Sequence, residues 1–168
     1  MKKRIDYDNG YYVGEVNYSG DKHGVGTYVW YSGGSYTGEY KYDRRNGVGI
    51  YYYPNGDRYE GEWVNGDRTG FGTMFFTNGN YYRGQFVNNK YQGQGEFHWA
   101  NGAYIVATFQ NDVPIQGTHY FSHNSKWAGD KCTGYFVNWK LHGQCFYVEH
   151  TGASYYCLYD NGNYVRKM

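Results

Sequence analysis

Three cysteines near one end of the chain, Cys132, Cys145 and Cys157, are the residues best equipped for chemistry. With His119, His142 and His150 they have the atoms for a thiolate–imidazole zinc site or for a thiol nucleophile beside a base. The spacing supports neither. No Cys-x2-Cys pair occurs, and Cys145 with His142 or His150 fits no catalytic signature. Cys145 and Cys157 also stand where other copies of an internal repeat carry glycine, and a buried cysteine behaves as a small hydrophobe. A metal site at Cys132, Cys145 and Cys157 is therefore the lesser reading. No catalytic residue and no cofactor is expected. The Gly-x-Gly pairs, such as Gly70 and Gly72, open strands and precede no helix, so they are not phosphate loops.

A second set of residues is basic. Lys22, Arg44, Arg45, Arg68, Lys90 and Lys140 recur in equivalent loops and would line one edge of a sheet. An anionic membrane surface could use such an edge, at about 1 kcal/mol per basic residue. Asp21, Asp43, Asp67 and Asp112 interrupt the set, so weak, salt-sensitive binding is expected. The whole chain balances 16 basic against 15 acidic residues. That argues against nucleic acid, which demands a basic surplus on one face.

The largest set is aromatic: 24 Tyr, 9 Phe and 5 Trp in 168 residues. Rings with polar tips tolerate one wet end, which suits a thin, half-exposed sheet. Contiguous exposed apolar surface marks binding sites, and Tyr and Trp dominate their energetics. Tyr36, Tyr51, Tyr53, Tyr59, Trp63, Phe76, Phe97 and Trp99 are expected to line a groove that holds a segment of a partner protein. Capture of a small ligand or nucleotide between rings of the C-terminal repeats is an alternative.

What must position these residues is a repeat. Gly38, Gly61, Gly84 and Ala107 are spaced 23 residues apart, as are Gly134 and Cys157. A fixed period of this length signals an array of small stacked units. Each unit reads as two alternating segments. In the first, Tyr59, Gly61 and Trp63 share one face and Glu60 and Glu62 the other. Asn65 to Thr69 then reads as a loop, and Gly70, Gly72, Met74 and Phe76 share a face of the second segment. Asn55-Gly56, Asn78-Gly79 and Asn101-Gly102 read as hairpin turns into the next unit. The fold class is therefore all-β: an elongated, single-layer antiparallel sheet of about seven hairpins, in one array over residues 1–168. Regular repeats cover about 9–100, and degenerate or capping repeats about 101–168, with an insertion near 123–131. Strand glycines let large rings lie flat over the neighbouring backbone. The N-terminus lacks an apolar signal region, no run is apolar enough to cross a membrane, and the cysteine number is odd. The expected setting is cytoplasmic, with attachment to a membrane or the cytoskeleton as a variant.

The pattern resembles the MORN (membrane occupation and recognition nexus) repeat. The stretches that carry it are Tyr12-Val13-Gly14-Glu15, Tyr36-Thr37-Gly38-Glu39-Tyr40 and Tyr59-Glu60-Gly61-Glu62-Trp63. The glycine pairs Gly24/Gly26, Gly47/Gly49, Gly70/Gly72 and Gly93/Gly95 extend it. The resemblance implies a single-layer sheet, a non-enzymatic platform for protein partners, dimerisation, and binding of anionic lipid as the other use of such arrays.

Overall fold

The computed structural model describes residues 2–168. Two compact units divide it. One runs to Thr77 and takes in Phe86–Asn89; the other comprises Asn78–Gln85 and Lys90–Met168. The first holds β1 (Lys2–Tyr7), β2 (Gly10–Val16), β3 (Lys22–Trp30), β4 (Ser35–Lys41), β5 (Arg44–Tyr52), β6 (Arg58–Val64) and β7 (Asp67–Phe75). β8 (Tyr81–Val87) contributes residues to both. The second holds β9 (Lys90–His98), β10 (Tyr104–Gln110), β11 (Val113–Tyr120), β12 (Lys131–Val137), β13 (Lys140–Val148), β14 (Ser154–Asp160) and β15 (Asn163–Lys167). There is no helix among the described residues. In each unit successive strands pair antiparallel, so order across the sheet follows order along the chain. The all-β expectation is met.

The tight turns sit elsewhere than the sequence suggests. Asn65 and Gly66, with φ of 52° and 98°, close β6 onto β7 in a two-residue turn. Both central residues of such a turn need φ > 0, which is why Asn-Gly is favoured. Asp67, Arg68 and Thr69 are therefore strand, not loop. The Asn55-Gly56 turn lies in the wider connection from β5 to β6, where the Gly56 amide donates to the Tyr53 carbonyl at 3.0 Å.

The repeat motif explains itself in the packing. Tyr36 lies flat across Gly38 and Gly49, which face each other on β4 and β5. A methyl group on Gly49 would occupy the space of the Tyr36 ring. The Tyr36 hydroxyl donates to the Glu39 carbonyl at 3.1 Å, and Tyr12, Tyr59 and Tyr82 make the equivalent bond three residues on. Glu15, Glu39 and Glu62, and Gln85 in the fourth copy, lie against the other glycine. The register of β4 with β5 slips between Gly38 and Tyr40, and Gly47 beside the slip has φ of 86°. The Glu39 carboxylate accepts from the Val48 amide there at 2.9 Å; Glu62 does the same for Phe71. An extra residue in one strand leaves backbone groups unpaired, and the side chain satisfies one of them.

The later repeats keep the volume while changing the residues. Where the first four copies have Tyr over two glycines, the next has Ile105 with Ala107 and Gly117, and the next Cys132 with Gly134 and Cys145. Tyr12, Tyr36, Tyr59, Tyr82, Ile105 and Cys132 all have no exposed surface. A smaller lid is matched by a larger floor, as close packing requires.

Candidate partner-binding groove

In the first unit half of the aromatic set expected to line a groove is core. Tyr36 and Tyr59 are fully buried and Trp63 is 2% exposed. Trp63 stands edge-on to both, at 5.3 Å and 5.2 Å between ring centroids. Its indole N–H is spent on the Gly49 carbonyl at 3.3 Å. These rings offer a partner no area, because they seal the sheet face against each other. Tyr51, Tyr53 and Phe76 are half-buried, with Tyr53 packed against Tyr51 at 4.5 Å.

The six basic residues divide into exposed side chains and side chains folded back on rings. Arg44, Lys90 and Lys140 are exposed. Lys22 opens β3, Arg45 and Arg68 stand second in β5 and β7, and all three fold back over the rings. Lys22 is 4.9 Å from the Tyr7 centroid and 3.3 Å from Asp43. Arg45 lies 4.3 Å over Trp63 and Arg68 5.4 Å over Phe86.

The second unit has open aromatic surface. A cavity of about 360 Å³ lies between the Phe121–Asp130 insertion and the turn joining β12 to β13. Trp99, Trp127 and Trp139 surround it, with Phe136, Leu141 and Tyr159 among the floor residues. Trp127 is 43% exposed; Trp99 and Trp139 are half-buried. No hydrogen bond among the described residues engages these three indole N–H groups. Of the expected set, Phe97 and Trp99 belong here: Phe97 is 9% exposed and supports Trp99 at 5.2 Å and Trp139 at 4.9 Å. His119 lines the cavity with its Nδ1 buried and unpartnered. Burial lowers its pKa to about 4, so the ring is neutral near pH 7.

The insertion is held firmly enough to act as a wall. Ser122, buried, donates to the Asn101 carbonyl, and Phe121 donates to Asp130 at 3.1 Å. Asp130 accepts from the Tyr147 hydroxyl at 2.5 Å and the His150 amide at 2.8 Å. Burial alone would raise the Asp130 pKa, but these bonds outweigh it and hold the carboxylate below its ordinary range.

Trp127 and Trp139 escape a reading based on the regular repeats. Trp127 lies in the insertion, outside any repeat position. Trp139 left a signal. It takes the second position of the hairpin turn, where the other copies have Asp43, Gly66, Asn89, Asp112 and Gly162. At that position Asp43, Asn89 and Asp112 accept the backbone N–H of Lys22, Arg68 and Tyr91. The residue opposite Trp139 in this scheme is Pro114, which has no N–H to donate. The acceptor is needless there, and the position is free to carry an indole.

The cysteines come together in the second unit. Cys132, Cys145 and Cys157 are free and buried on β12, β13 and β14. The Cys132 thiol is held above its ordinary pKa by its bond to Cys145 and by burial, and Cys157 by burial, whereas the bond to Cys132 holds Cys145 below its ordinary value. Thiolate, the metal-binding and nucleophilic form, is thus disfavoured at Cys132 and Cys157, and no group of His, Cys, Asp and Glu with metal-binding geometry occurs among the described residues.

No curated protein matches the chain by sequence. Among solved structures it is similar to the SAS-4 (dCPAP) TCP domain of Drosophila melanogaster, solved in complex with a proline-rich motif of Ana2 (dSTIL). That match has 14% identity, a TM-score of 0.54, and coverage of 92% of this chain and 88% of that one. The TCP10 domain of Danio rerio CPAP, solved with a STIL peptide, aligns over 100% and 99% of the two chains at 13% identity, with a TM-score of 0.39. The MORN repeat model matches four consecutive stretches, residues 12–35, 36–58, 59–81 and 82–104. These span more than half of the sequence and coincide with the Tyr-over-glycine packing units, and the chain belongs to the MORN repeat family.

Proposed function

We propose that this chain is a protein-interaction module whose second unit holds an extended, proline-bearing segment of a partner in the groove of Trp99, Trp127 and Trp139. The observation that carries this reading is three accessible indoles around one cavity, each with an uncommitted N–H donor. The groove lies on a sheet face. β12 and β13 are hydrogen-bonded along both sides, so an added strand has no edge to join there. Polyproline II ligands dock aromatic-lined grooves instead, stacking on rings and accepting hydrogen bonds at their carbonyls. The Drosophila domain of like fold was solved with a proline-rich motif, which agrees with this choice of ligand.

Titration with capped decaproline, followed by tryptophan fluorescence, tests the reading. Wild type should bind. Trp99→Ala and Trp139→Asn should each weaken binding at least tenfold while the circular dichroism stays unchanged. Asparagine is already the residue at this turn position in another repeat, so the second variant keeps the backbone. Absence of binding to wild type, or undiminished binding in both variants, rejects the groove.

A further inference from the structure

We infer that the first unit carries a separate docking surface for an acidic segment in polyproline II conformation, recognised by Arg45 and Arg68. The two guanidiniums lie on the aromatic face at equivalent repeat positions. Arg45 sits 4.3 Å over Trp63 and donates to the Gly66 carbonyl at 2.8 Å. Arg68 sits 5.5 Å from Tyr59 and donates to the Asn89 carbonyl at 2.7 Å. Neither takes part in an ion pair among the described residues, whereas Lys22, one repeat earlier, is paired with Asp43. Both arginines are half-buried. A guanidinium removed in part from water without a counter-charge is an incomplete arrangement.

Covering the rings does not demand a cation. The same repeat position is Tyr91, Pro114 and Leu141 in the second unit, all buried, and Tyr91 stacks on Tyr82 at 3.7 Å. The positive charge at Arg45 and Arg68 therefore does something that a lid alone does not. Burial raises the pKa of the Tyr53 hydroxyl, and the charges of Arg68 and Arg45 both oppose that rise.

Spacing selects the ligand. Arg45 is the second residue of β5 and Arg68 the second of β7, two strands on, which places them about 10 Å apart. A polyproline II chain turns once per three residues and rises about 9 Å in doing so. Carboxylates at positions i and i+3 then lie on one face at the matching distance. In a β-extended ligand the same two residues point to opposite faces.

The test uses a capped (Glu-Pro-Pro)4 peptide, with (Gln-Pro-Pro)4 as its neutral counterpart. The Nε–H signals of Arg45 and Arg68 in wild type should shift on adding the acidic peptide, and shift far less with the neutral one. Affinity should fall at least tenfold in Arg45→Gln/Arg68→Gln. It should change less than threefold in Lys41→Gln/Arg44→Gln, which removes equal charge from exposed positions of the same unit. Equal losses in the two double variants would reduce the effect to diffuse charge and overturn the inference. So would unmoved Arg45 and Arg68 signals in wild type at saturating peptide, a result that does not depend on any variant folding. Binding of decaproline at the other unit is unaffected by either outcome, so the two readings fail separately.

Discussion

Trp139 is the residue at which local preference and use diverge most openly. Its φ of 66° is a left-handed conformation that glycine or asparagine adopts readily, and that costs a bulky L-residue roughly 1–2 kcal/mol. Such strain persists where the surroundings over-determine it, commonly at binding sites. Phe97 and Phe109 pack against the ring at 4.9 Å and 5.7 Å and fix it. His119 is the second such residue. Burial takes its pKa from 6.5 to about 4. The unfolded chain therefore binds the proton first as pH falls. The stability this neutral ring contributes is full above pH 6.5, declines between 6.5 and 4, and changes no further below. The loss is on the order of 3 kcal/mol across that window. Urea midpoints measured from pH 7 to pH 4 should fall more steeply in wild type than in His119→Gln, and superimposed profiles would show that His119 is not buried in this way. Asp130 acts in a lower window. Its pKa is depressed, so its contribution is lost only as pH falls below the ordinary carboxylate range.

The element that organises the fold is the Tyr-over-glycine hairpin, and it was legible in the sequence. Tyr59-Glu60-Gly61-Glu62-Trp63 gives the period-two face, and the recurring glycine pairs give the space for the ring. Two things were not legible. A bulge shifts register by one residue, so nothing in the spacing of Gly47 and Gly49 distinguishes the left-handed glycine from the one beneath the ring. Turn chemistry was also ambiguous, because Asn-Gly occurs at both Asn55-Gly56 and Asn65-Gly66 while only the second closes a two-residue hairpin. The packing argument has a sharp consequence. Gly38→Ala should destabilise the first unit by about 1–3 kcal/mol, the usual cost of overpacking. Made in a Tyr36→Ile background, which copies the Ile105–Ala107 pair already present in the second unit, the same change should add less than half as much. A double-mutant cycle from denaturant titration measures this coupling. Additive effects would mean that the ring and the glycine do not share the space.

At the scale of the whole molecule, one repeat has been used in two ways. In the first unit the aromatic face is closed by its own rings and lidded by cations; in the second it carries open indoles beside an insertion. The sequence indicated an aromatic binding surface but spread it over Tyr36, Tyr51, Tyr53, Tyr59, Trp63, Phe76, Phe97 and Trp99, because alignment of repeats shows which residues share a face and not which ones remain uncovered. Trp63 and Trp99 look alike in one dimension. In three, Arg45 covers Trp63, whereas Trp99 lines a cavity. The chain's five tryptophans, Trp30, Trp63, Trp99, Trp127 and Trp139, make this difference observable without any substitution. Each indole N–H gives one proton–nitrogen signal. On titration of the wild-type protein with decaproline, the signals of Trp99, Trp127 and Trp139 should move together along one saturable curve, with those of Trp30 and Trp63 unmoved. Movement confined to Trp30 and Trp63, or none at saturating peptide, would contradict a partner groove in the second unit.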